Sequence, residues 1–153
     1  MIKLSQRRRM LAAPILAWLV ACTDSSGPST PPPASVLGCY DLTVSTWSGL
    51  HESPDPPPVV ILTDSIGSYL LESGRPLVRP WPDPAAMPFD MAWWERPSEG
   101  RLNLVFTQGG FIGIRIGLQW AGSRWSGQAE AFTDVAPPVE ATTLALLVPT
   151  PCS

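Results

Sequence analysis

The 153-residue chain has a single histidine, His51, and a single lysine, Lys3. The first scarcity weighs against a histidine-based metal centre: structural zinc needs four closely spaced Cys or His ligands, and none are present. His51, Glu52 and Asp55 lack the alternating acids and glycine of a calcium loop. No Gly-x-Ser-x-Gly elbow occurs, so a serine nucleophile has no motif. The run Gly109-Gly110-Phe111-Ile112-Gly113 lacks the Lys-Ser and helix start of a phosphate loop. Asp90 and Glu95 are the acids to consider for glycoside chemistry, but their spacing resembles that of surface acids. The sequence therefore offers no catalytic residue, no metal site and no cofactor.

Long apolar runs are scarce as well. The one near the start, residues 10–20, is broken at Pro14 and is about half the ~20 residues a membrane-spanning helix needs. Lys3, Arg7, Arg8 and Arg9 precede it, and no acid occurs before Cys22. A basic segment, a short apolar run and small residues make a secretory signal over residues 1–21. Its last residues, Leu19-Val20-Ala21-Cys22, resemble the lipobox of bacterial lipoproteins. The resemblance implies that Cys22 becomes the acylated N-terminus. Several acyl chains are then expected, because one anchors only marginally. Thr23 stands where an inner-membrane retention signal of that family has Asp, which favours the outer membrane. Arg7-Arg8-Arg9-Met10-Leu11 also resembles part of a twin-arginine signal. Gln6 departs from that pattern, and the general secretory route is preferred.

Residues 23–35 read TDSSGPSTPPPAS and have no large apolar side chain to bury. With Cys22 they are expected to form a disordered tether, extended by Pro28, Pro31, Pro32 and Pro33 at ~3.1 Å per residue. Residues 36–153 are then one domain. Past residue 21 only six basic residues remain, all arginine, against 13 acids, a net charge of −7. That charge argues against nucleic acid and against a polybasic grip on anionic lipid.

With Cys22 assigned to lipid, Cys39 and Cys152 remain. In an oxidising periplasm they are most simply paired, the alternative being two free buried thiols. A bridge would place the first and last strands side by side.

Helical periodicity is absent after Val36, and proline and glycine interrupt the apolar runs. Turn signals recur about every ten residues. Between them, residues 40–47, 101–107, 111–120 and 124–132 alternate apolar and polar. Further strand candidates are 59–62, 68–71, 76–79, 89–94 and 142–148. Eight or nine short strands in one domain imply a closed sheet or two layers. Gly113, Gly117 and Gly127 lie inside strands and mark sharp bends or close approach. With the terminal bridge, they favour an all-β, antiparallel up-and-down barrel of about eight strands over a β-sandwich. The opening Gly38-Cys39-Tyr40 resembles the Gly-x-Trp start of lipocalin-like barrels, with Tyr where that family has Trp. The proline-rich stretches 53–58 and 79–84 are expected as rim loops.

Tryptophan is what the domain has in excess: six remain after residue 21. Most are expected in the core. The adjacent pair Trp93-Trp94 differs, since neighbours in a strand face opposite sides. One of the two should face a rim or the outside near Arg96 and Trp81. Trp81, Trp93 and Trp94 are therefore the candidate binding residues, for a small apolar ligand or an envelope protein. A structural outer-membrane lipoprotein without a pocket is the competing expectation.

Overall fold

The computed structural model describes residues 30–49, 53–134 and 141–153. Eight strands run up and down in chain order: β1 (Gly38–Val44), β2 (Val59–Ile66), β3 (Pro76–Pro80), β4 (Met91–Ser98), β5 (Arg101–Gln108), β6 (Ile112–Trp120), β7 (Trp125–Thr133) and β8 (Ala141–Thr150). Each pairs antiparallel with the next, and β8 returns to β1, closing the barrel. The alternation read from the sequence maps onto the two sides of this wall. Along β6, Ile114, Ile116 and Leu118 point in and are buried, whereas Arg115 and Gln119 point out. One candidate strand differs: 68–71 is an extended stretch entering a 3-10 turn at Leu70–Glu72. Its apolar residues have no partner strand, because the β2–β3 connection leaves the sheet here.

Side chains fill the interior. Tyr40, Leu42, Leu62, Leu104, Phe106, Ile116, Trp125 and Leu147 belong to one buried cluster. On β7 and β8 the inward positions include small residues, Gly127, Ala129 and Ala145, which make room for the larger residues around them. Trp120 and Trp125 meet edge to face, their ring centroids 5.1 Å apart. Gly127 is required by close approach: a Cβ there would fall against the Gly117 carbonyl oxygen and lie 3.0 Å from Leu118 Cα. The bend between Glu95 and Ser98, where β4 slips register against β5, coincides with Pro97, which has no N–H to donate.

Both ends of the barrel are crossed by chain. At the end where β1 begins, Val36 is buried in the core and its carbonyl accepts a hydrogen bond from Tyr40 Oη at 2.9 Å. Further back, Arg96 donates to the carbonyls of Ala34 and Pro33 at 2.8 and 3.0 Å, and Trp120 Nε1 donates to Thr30 O at 2.9 Å. Residues 30–36 thus form a strap from β1 past β4 to β6. They have no large apolar side chain before Val36. The barrel holds them instead through their carbonyls, and proline lowers the entropy lost in ordering them. At the opposite end Phe89 enters the core beside Phe106, and Ser53 Oγ donates to Gly113 O at 3.2 Å. The two proline-rich stretches both lie at this end, the second beginning only after Pro80, which is the last residue of β3.

Cys39 and Cys152 form the expected disulfide, with Cα atoms 5.3 Å apart. It fastens the β1–β8 seam, where Cys39 also pairs with Thr150. Burial pushes the Tyr40 hydroxyl above its ordinary pKa, and the nearby Arg96 charge pulls part of the way back.

Candidate functional site

The wall of the barrel, rather than its centre, carries the clefts. Trp93 sits in mid-β4 between Leu77 of β3 and Val105 of β5, and its position in the alternation points it outward. It is nevertheless only 5% exposed. The covering comes from residues 67–75, the β2–β3 connection, which folds back as a flap. Gly67 N donates to Arg75 O at 2.8 Å and Gly74 N to Gly67 O at 2.9 Å, closing the flap at its base. Gly67 is needed there, since a Cβ would meet the Glu72 carbonyl oxygen.

At the flap's base Arg75 lies over the Trp93 ring, 4.6 Å from its centroid, and pairs with Glu95 at 3.3 Å. At its tip Leu70 adopts φ +46°, a left-handed conformation that a leucine takes only under local constraint. Leu71 reaches the β5–β6 turn, its Cδ1 only 2.7 Å from where a Gly110 Cβ would stand. Tyr69, Leu70 and Leu71 are all more than half exposed.

A cleft of about 280 Å³ opens beside the flap, lined by Leu71, Arg75, Trp93, Val105, Arg115 and Phe132 among others. Phe132 lies across Gly113, whose missing Cβ leaves the ring its place, and the Arg115 guanidinium stands 4.9 Å from that ring. The Trp93 indole N–H is buried and has no hydrogen-bond partner among the described residues. Two guanidinium groups lining one cleft suit an oxygen-bearing ligand.

The three tryptophans singled out from the sequence are not brought together. Trp93 alone lines this cleft. Trp94 points inward at the strap end, where its N–H donates to Thr63 O at 2.9 Å. With Leu37, Ile66 and Arg96 it borders a separate, mainly apolar groove of about 410 Å³ beneath the strap. Trp81 lies in the β3–β4 connection at the far end of the barrel. Asp90 and Glu95 are separated too: the Gly109 N–H donates to both Asp90 carboxylate oxygens, at 3.1 and 2.9 Å, whereas Glu95 holds Arg75. Cys22, His51 and Glu52 fall outside the described residues.

Arg75, Arg115 and Phe132 were missed in the sequence. A signal for one of them existed: the outward face of β6 reads Gly113, Arg115, Gly117, Gln119, a charged residue between two glycines. No protein-family model, no curated protein and no solved structure matches this chain.

Proposed function

We propose that this protein is a lipid-anchored envelope protein, held at the outer membrane through Cys22, whose barrel binds ligand on its outer wall. The observation that carries the binding part is Trp93: an outward tryptophan kept under a strained flap, at a cleft that two arginines also line. An apolar ligand inside the barrel is disfavoured, because large side chains occupy the centre and chain crosses both ends. The wall also speaks for a barrel beside the membrane rather than within it. Membrane-spanning barrels carry a continuous apolar band outside, whereas here Arg115, Gln119, Gln128 and Glu130 stand on the outer face.

A second reading, an assembly lipoprotein that docks a partner protein, is favoured by the exposed Tyr69, Leu70 and Leu71 of the flap. One set of measurements tests the proposal. Cys22→Ser should leave the signal uncleaved and move the protein from the membrane fraction. Trp93→Phe should abolish the ligand-induced change in tryptophan fluorescence. A mature N-terminus other than Cys22 would refute the anchor. Flat titrations across apolar and polar ligands, with stable co-purification of an envelope protein lost on Leu70→Asn, would select the docking reading.

A further inference from the structure

Asn103 and Arg115 line the Trp93 cleft and also a second, shallower cleft of about 510 Å³. The two are therefore parts of one groove that crosses the strands. One register row runs Trp93, Val105, Arg115, Glu130, Thr142 from β4 to β8. The row beside it runs Glu95, Asn103, Gly117, Gln128, Leu144. Four inter-strand steps of about 4.8 Å give the groove a length of about 19 Å. Gly117 is its floor: a Cβ there would find only Asn103 Oδ1 within 4 Å, at 3.8 Å.

Charge concentrates here against the trend of the domain. Three of the six arginines beyond residue 21, Arg75, Arg101 and Arg115, line the groove with two acids, Glu95 and Glu130, a net charge of +1 against −7 for the chain beyond residue 21. Between them stand Asn103, Gln119, Gln128 and Thr142, side chains that both donate and accept hydrogen bonds.

We infer that this groove binds an acidic oligosaccharide, an inference that rests on the outer wall being the binding surface. Sugar hydroxyls are donors and acceptors at once and match the amide and hydroxyl side chains. Phe132, which lines the cleft, offers aromatic surface to the C–H face of a sugar ring. The Arg101 and Arg115 guanidinium groups meet the acid groups, with the fork geometry that arginine provides.

The test uses the full-length protein in detergent, titrated by calorimetry and tryptophan fluorescence. The probes are hexagalacturonate, a phosphorylated oligomannoside, neutral cellohexaose, a dodecathymidylate and a fatty acid. Binding of hexagalacturonate or the phosphorylated glycan, at least about 10-fold tighter than cellohexaose, is expected; which of the two is tighter identifies carboxylate or phosphate as the acid group. Arg115→Gln should weaken that binding about 10-fold or more with an unchanged urea midpoint. Arg79→Gln, outside the groove, should leave it as it was. Equal affinity for cellohexaose, tighter binding of the dodecathymidylate, or an Arg115→Gln variant that binds normally would overturn the inference. Cellohexaose or fatty-acid binding that Trp93→Phe abolishes would overturn the acidic ligand while keeping the outer-wall site. Silence with all five probes would remove both.

Discussion

Removing the Cys39–Cys152 bridge should cost most of the stability a domain of this size ordinarily has. The bridge joins residues 113 positions apart. In the chain-entropy model a loop of that length loses about 16 cal/mol/K, or about 4.8 kcal/mol at 25 °C. Typical domains are stable by 5–15 kcal/mol in total. The variant of choice is Cys39→Ala with Cys152→Ala. Cys39 is buried, so serine there would add the separate cost of an unpaired hydroxyl. Urea unfolding of the two forms should show a much lower midpoint for the variant. Its denaturant slope should be steeper, because the unbridged chain exposes more surface on unfolding. The native barrel should persist in the variant at low urea, since six residue pairs of the β1–β8 ladder remain. A loss below about 1 kcal/mol would refute the reasoning: the unfolded chain would then already hold its ends together, and the bridge would have no entropy to remove.

Three further outcomes follow from the packing. Gly127→Ala should destabilise by about 3 kcal/mol or more, or prevent folding, because its Cβ meets the Gly117 carbonyl; a wild-type urea midpoint would show that β6 and β7 can part without cost. Arg96→Ala removes both hydrogen bonds to the strap carbonyls, so limited proteolysis within residues 30–36 should accelerate while the barrel loses only about 1 kcal/mol. Unchanged cleavage would mean that Trp120 and Val36 hold the strap unaided. Tyr40 has a folded-state pKa above its unfolded value, so its contribution is whole below about pH 10 and fades as pH rises through the folded value. Tyr40→Phe should therefore flatten the alkaline decline in stability, while costing about 1–3 kcal/mol at neutral pH by leaving Val36 O without its donor. An identical alkaline decline in both proteins would place its origin elsewhere.

The legible parts of this molecule are those set by short-range pattern. Alternation in residues 101–107, 111–120 and 124–132 determined strands and their inward faces, because a pleated strand must send neighbours to opposite sides. The two cysteines left at the ends of the domain pointed to the seam, and the glycines within β6 and β7 pointed to close approach. The candidate 68–71 misled because an apolar run has the same local appearance in a strand and in a flap that covers a tryptophan. What it packs against decides between them, and that partner, Trp93, lies more than 20 residues away.

By itself, then, the sequence determined the all-β class and eight of its nine candidate strands, made the Cys39–Cys152 bridge the simplest pairing, and turned one member of Trp93-Trp94 outward. Only the tertiary structure decided that the outward residue is Trp93, that residues 67–75 cover it, and that Arg75, Arg115 and Phe132 gather around it. The reason is register. Period-two alternation says which residues share a face, but not which residue of the next strand stands opposite. The row from Trp93 through Arg115 to Thr142 exists only once the barrel has closed and its hydrogen bonds have set the stagger.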